Sequence, residues 1–288
     1  MKKSFLLCVM VFALSLLYAQ NQKNGAGVTV NQTREVPAFS VVKSISFVDV
    51  VIIRDSSKKL LVTADENIIK HVLTEVDQGI LTISMENHTS FINTKILVEV
   101  HTPHLAGVVN TGTGNMTIKS LEEETFSLHN KGTGNVISSS LLVSNNLVVK
   151  NSGTGEVVIS YSTRGDVTIA SNGTGDIVMT AMKENTERIT VLNTGTGDVI
   201  LKRLLVGNLQ ARNQGTGDLI FSGKADNVTF ENKSVGNIQA EKLTVKLAHI
   251  TQNGVGNVSA HVTGTTCLSQ NNDVGSVTIT GGGKVIQE

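Results

Sequence analysis

The chain has no tryptophan, and beyond its first twenty residues it keeps one tyrosine, Tyr161, and six phenylalanines. Sugar-binding grooves usually rest on aromatic platforms, because flat rings stack on the apolar faces of sugars. So small an aromatic supply argues against such a groove, leaving hydrogen bonding by outer Thr and Asn side chains as the route to a glycan. Charge of one sign is also missing. Without Lys2 and Lys3 the 24 basic residues fall to 22 against 24 acidic ones, a net −2. Nucleic-acid partners need a basic surface, so that class is set aside. Of the two cysteines only Cys267 lies past the first twenty residues, which excludes an internal disulfide there. A disulfide-free exported chain of this size depends on a large core, which about 270 residues can supply.

Long apolar runs are scarce as well. MKKSFLLCVMVFALSLLYAQ opens with Lys2 and Lys3 and continues apolar from Phe5 to Leu17, short of the roughly 20 residues a membrane helix needs. It reads as a secretory signal over 1–19, cut after Ala19. A lipidated Cys8 is the rival, disfavoured because Val9, not a small residue, follows it. The mature chain is therefore expected to be exported, in the periplasm, at the outer-membrane surface or secreted, with no membrane insertion. Residues 20–33 read as a flexible polar lead.

What the sequence has in abundance is a repeat. Asn-x-Gly-Thr-Gly recurs with a spacing of 19 to 22 residues. Its second glycine is present in every copy: Gly114, Gly134, Gly155, Gly175, Gly197, Gly217, Gly236, Gly256 and Gly275. The first is replaced by Ser234 and Asp273 in two of the nine. The Asn slot holds Asn110, Asn130, Asn151, Ser171, Asn193, Asn213, Asn232, Gln252 and Asn271. Two residues after the second glycine comes an apolar residue in all nine, from Met116 to Val277. Two residues before the Asn slot the pattern is again apolar, as at Leu128, Val149 and Phe230. Alternation on both sides of a corner marks half-buried strands.

One such coil cannot bury its apolar face alone, but stacked coils can. The expected fold is all-β, a single-stranded parallel β-helix of about nine coils of ~20 residues. At roughly 4.8 Å per coil it is a rod about 40 Å long, right-handed by the preference of parallel crossovers. Glycine at each corner supplies positive φ and close backbone approach. The Asn slot points inward by strand parity, where amides can bond the backbone and one another along the rod. Residues 34–288 form one domain on this reading, with 34–105 as N-terminal strands or cap and 106–288 as regular coils. A short helix is expected over ENIIKHVLTEV (66–76), capped by Asp65.

Candidate sites are few. The slot after the second glycine stacks Asp176, Asp198 and Asp218. Calcium takes six to eight oxygens, several of them carboxylate. A solvated polar ladder is the favoured reading, and these three are the one weak candidate for a metal; no cofactor is otherwise called for. A phosphate loop would need a helix after the corner, and none is expected. His101 and His104 flank Pro103 without a third ligand nearby. Arg164-Gly165-Asp166 spells a tripeptide that some adhesion receptors bind and is expected in an exposed turn. Cys267, four residues before Asn271, is read as a small core residue. Arginines and histidines are scattered, so no catalytic residues are assigned.

REVPAFSVVKSI (34–45), KILVEVHTPHLAGVVNTGTGNM (95–116) and the serial corners together resemble the exported "putative auto-transporter adhesin, head GIN domain" proteins of Bacteroidota, over roughly residues 34–280. The resemblance implies a pectin-lyase-like β-helix and an adhesive role, and carries no catalytic residues. It departs from the family pattern where Val235, Val255 and Val274 replace the corner threonine, marking a different surface near the C-terminal end. Three functions follow: a noncatalytic envelope adhesin or binding module whose partner is a surface protein, a glycan or another copy; a polysaccharide-active enzyme, which needs converging acids and a base; and a self-associating structural protein.

Overall fold

The structure is a computed structural model that describes residues 22–87, 89–270 and 274–287. The expected signal, Asn271 and Asp273 lie outside the described residues. The chain is a β-solenoid of about nine turns. Its strands pair in parallel, each coil in register with the next. Asn110, Asn130, Asn151, Ser171, Asn193, Asn213, Asn232 and Gln252 form one continuous file of Cα partners. Met116, Val136, Val157, Ile177, Val199, Leu219, Ile238, Val258 and Val277 form another on the far side of the corner.

Burial follows the period of two. In Val199–Asn213 the apolar Val199, Leu201, Leu209 and Ala211 are inside, and Lys202, Gln210 and Arg212 are outside. Each fully buried Val, Leu or Ile contributes about 1.5–3 kcal/mol of transfer free energy, so the stack is held by long apolar files. Phe221 and Phe230 cross the interior of one coil and stack at 5.6 Å, filling a width that aliphatic side chains span elsewhere.

Chain order and stacking order differ at the N-terminal end. Val41–Ser44 lies between Gly107–Asn110 and Ile80–Met85, and Asp49–Arg54 lies between Met116–Ile118 and Leu97–Thr102. The segment 41–54 is thus the second coil of the stack, although it comes first in sequence. The outermost coil is then closed by antiparallel strands. Lys59–Asp65 runs against Leu97–Thr102, Thr29–Arg34 against Lys59–Asp65, and Val72–Asp77 against Ile80–Met85. Reversing direction ends the parallel stack and covers an edge that would otherwise be open.

Three sequence expectations change here. The helix over 66–76 is only a 3-10 turn, Ile69–His71, followed by the strand Val72–Asp77. Val72, Thr74 and Val76 alternate as β-branched residues suit. Positive φ at Gln78 and Gly79 makes the tight hairpin that returns the chain. Asp65 does not cap this turn; its carboxylate accepts from Gly27 N–H at 2.8 Å and Thr94 Oγ1 at 2.6 Å. Second, the described part of 20–33 holds strands. Gln22–Asn24 pairs with Ser90–Ile92, and Thr29–Arg34 joins the cap. Edge pairing uses backbone groups, so a polar segment forms it without burying side chains.

Third, Cys267 is not a core residue. It lies in register with the outward His249 and is half-buried, while Thr266 takes the buried slot beside Ala248. The partner of Gln252 is Gln270, so the last corner holds one more residue before Gly275 than the others do. That insertion moved the apparent slots by one.

Candidate functional site

The feature that distinguishes this chain is the glycine corner, repeated along one edge of the rod. A Cβ added to Gly134 would lie 1.9 Å from the carbonyl oxygen of Gly114, and one on Gly155 would lie 2.2 Å from that of Gly134. The same holds for each first glycine, as at Gly132 with 2.0 Å to Gly112. None of the nine second glycines has positive φ, so the half of the expectation that rested on φ is replaced by sterics alone. Ser46 and Val48 occupy the two positions in the first stacked corner, beneath Gly112 and Gly114. Glycine begins where corner backbone must lie directly on corner backbone.

The Asn side chains seal these corners from inside. Asn151 is fully buried. Its Nδ2 donates to the carbonyl of Gly155 at 2.9 Å in its own coil and to that of Gly175 at 2.9 Å in the next. Its Oδ1 accepts from Gly153 N–H at 3.2 Å. Asn110 repeats all three contacts with Gly114, Gly134 and Gly112. Asn130 reaches Gly155, Asn193 and Asn213 both reach Gly217, and Asn232 reaches Gly236. Ser171 is too short, and its hydroxyl is buried with no hydrogen-bond partner.

Asp176, Asp198 and Asp218 stack on the outer side of the corner. Asp176 Oδ1 accepts the backbone N–H of Asp198 at 2.8 Å, and Asp198 Oδ1 accepts that of Asp218 at 2.7 Å. Asp218 takes the N–H of Asn237 at 2.7 Å and Gln239 Nε2 at 2.7 Å. Asp49, Asn115, Asn135, Asn237 and Asn257 make the same bond to the coil beyond. The slot therefore selects a short side chain with an oxygen acceptor, charged or not. Among the described residues no three His, Cys, Asp or Glu side chains converge to hold a metal.

Outside the glycines runs an open groove of about 780 Å³. One wall is Ser152, Asn172, Thr194 and Gln214; the other is Thr133, Thr154, Thr174, Thr196 and Thr216; Lys131 and Lys233 stand at its ends. At its C-terminal end and beyond, the threonine file becomes apolar, with Val235, which lines the groove, and Val255 and Val274 exposed by 62%, 54% and 68%. A second depression, of about 730 Å³, is lined by Glu122, Glu123 and Glu184 among others. Three of its four glutamates are engaged, Glu122 with Arg54 at 2.6 Å, Glu184 with Arg164 at 2.6 Å, and Glu123 with the N–H of Leu105 at 2.7 Å, and Glu124 and His104 also line it.

Of the remaining sequence candidates, His104 and Arg164 both line this second depression, and His101 does not. His101 meets Asp55 at 3.1 Å and His104 meets Glu123 at 3.7 Å. Arg164 and Asp166 each face an opposite charge in the next coil, Glu184 and Arg188. Sequence reasoning missed the groove, whose residues look like ordinary polar loop positions until the coils are stacked.

Among the described residues no helix is long and apolar enough to cross a membrane. Among curated proteins, none matches the chain. Solved structures of similar fold include two putative adhesins. A putative adhesin from Bacteroides fragilis NCTC 9343 has a TM-score of 0.56 at 18% identity, covering 89% of this chain and 99% of the other. A putative adhesin from Parabacteroides merdae ATCC 43184 has a TM-score of 0.56 at 18% identity, covering 93% and 99%. The model of the family described as "Putative auto-transporter adhesin, head GIN domain" matches residues 38–202 and 167–285, and the chain belongs to that family.

Proposed function

We propose that this chain is an exported, noncatalytic binding module that holds a large partner at the cell envelope along the outside of its corners. The observation that carries this reading is the corner groove. It extends over six coils, is open along its length, and sets hydroxyl and amide side chains on both sides of a glycine floor, with Lys131 and Lys233 at its ends. An enclosed pocket suits a small substrate; a long open groove suits an extended polymer or a broad surface. Noncatalytic action is favoured by the second depression, where three of the four glutamates, Glu122, Glu123 and Glu184, are already bonded. The family description as an adhesin points the same way, and the basic start and apolar run of 1–19 supply the route for export.

The test blocks the groove without disturbing the core. Thr174 and Thr196 have exposed side chains, so Thr174→Arg with Thr196→Arg should leave folding intact. Attachment of cells carrying the double variant, compared with wild type and a deletion strain, should fall to the deletion level. Attachment equal in all three strains across proteins, glycans and whole-cell surfaces would end this reading. Sequencing the mature N-terminus tests export, with Gln20 as the expected first residue.

A further inference from the structure

Two clusters on the corner edge use the same slots differently. In the coil of Asn232, Glu231 lies between two cations: Lys233 at 2.5 Å and Arg212 of the adjacent coil at 2.5 Å. Burial opposes ionisation there, yet Lys233 and Arg212 hold the Glu231 carboxyl below its ordinary value. In the coil of Asn130 the slot of Glu231 holds His129, and the slot of Lys233 holds Lys131. Lys150, of the adjacent coil, is in register with His129. Neither lysine has an ion-pair partner among the described residues, whereas the in-register pairs Asp166 with Arg188 and Arg212 with Glu231 join opposite charges.

We infer that Lys131, Lys150, His129 and Ser152 form a site for an anionic group carried by the partner, an acidic glycan whose chain continues into the corner groove. The anion would stand where the Glu231 carboxylate stands in the other cluster, between the two ammonium groups, which act as point-charge oxyanion ligands. His129 Nε2 lies 2.8 Å from Ser152 Oγ, so an imidazole and a hydroxyl stand beside the lysines. Burial lowers the His129 pKa, and Lys131 and Lys150, the charged groups that act on it, lower it further. A bound anion opposes the two lysines and raises it. Lys131 and Ser152 both line the groove, which joins the site to hydroxyl and amide groups suited to sugar hydroxyls. A carboxylate and a sulfate or phosphate ester share this chemistry.

This inference rests on the binding-module reading and names one chemical group of its partner. The test follows the His129 imidazole by NMR while inorganic sulfate is added, and retention of the mature chain on polygalacturonate, dextran sulfate and neutral dextran. Sulfate should raise the His129 pKa in the wild type and not in Lys131→Gln/Lys150→Gln. Retention on an acidic polysaccharide should fall at least tenfold in that variant and weaken with salt, and the preferred matrix tells carboxylate from sulfate. No sulfate-dependent shift, or retention that the variant leaves unchanged, overturns the site. Retention on neutral dextran unaffected by the variant overturns it while leaving the binding module standing. A sulfate-dependent shift without retention on either acidic matrix overturns the acidic glycan as the occupant of the site and leaves the binding module standing.

Discussion

The side chain of Asn151 donates to the carbonyl of Gly175 at 2.9 Å, one full coil away, while also closing its own corner on Gly155. One buried amide thus serves two coils. Asn151→Ala would leave the Gly175 carbonyl and the Gly153 N–H without this partner, while the Gly155 carbonyl keeps Asn130. At ~1–3 kcal/mol for each buried group left unpaired, with partial relaxation, the expected loss is about 2–4 kcal/mol by denaturant unfolding. Ser171 fills the same slot with an unbonded hydroxyl. Ser171→Asn should place donors near Gly175 and Gly197 and raise stability by about 1 kcal/mol. A fall in the unfolding midpoint would show that this coil has no room for the amide.

Gly155→Ala tests the steric account of the corner. The new Cβ would lie 2.2 Å from the carbonyl oxygen of Gly134, so two coils must separate. Overpacking of this kind costs typically ~1–3 kcal/mol, and here the obstacle is backbone within a sheet, so the upper end is expected. An alanine variant as stable as wild type in thermal unfolding would mean that corners do not stack this closely.

The aspartate ladder yields a charge-independent prediction. Asp198 Oδ1 accepts from the N–H of Asp218, and an asparagine carbonyl accepts equally well, as Asn115 and Asn135 do. Replacing Asp176, Asp198 and Asp218 by Asn should preserve the ladder, remove like-charge repulsion, and leave the midpoint unchanged or slightly raised. Asp198→Ala should lower the unfolding free energy by about 1 kcal/mol, the ordinary net worth of a hydrogen bond. Calcium should shift neither protein; a shift in the wild type that the triple variant loses would make this ladder a metal site.

The coils were legible because the cause of each sequence signal is local and repeated. Met116 to Val277 are apolar at one offset because that offset faces inward in every coil. The N-terminal end was not legible, for two reasons. Its order in the stack puts 41–54 inside 80–102, and no local pattern encodes which coil lies on which. Thr29–Arg34 joins an edge through backbone bonds and the polar contacts of Asn31 and Arg34, so its side chains carry no apolar signature. At the corner, the residue types were visible but the reason for glycine was only half visible. Positive φ and close approach predict the same letter, and only the stacked geometry separates them.

Acid titration should report on Asp55. The N–H of Ser57 and the imidazole of His101 hold its carboxyl at about 2, against an ordinary 3.8. A depressed folded-state pKa contributes stability that is fully present above the unfolded value and is lost as pH falls through the folded one. Asp55→Asn should therefore be less stable than wild type at pH 5, with the difference shrinking below about pH 4 and gone only once the pH is well below 2. A difference constant over that range would mean the carboxylate charge contributes nothing.

Cys267 distinguishes the two registers of the last coil. If the corner before Gly275 had the usual length, Cys267 would share the buried file of Val228 and Ala248, and its thiol would be shielded in the native state. With the extra residue, Thr266 enters that file and is fully buried, while Cys267 lies outward beside His249 and is half-buried. A half-exposed thiol reacts from the folded state, whereas a core thiol waits for unfolding. The mature chain treated with a maleimide under native conditions should be labelled at Cys267 at a rate insensitive to added stabiliser, and Thr266→Ala should cost stability while Cys267→Ser should cost little. Labelling that appears only in step with global unfolding would restore the register with Cys267 inside.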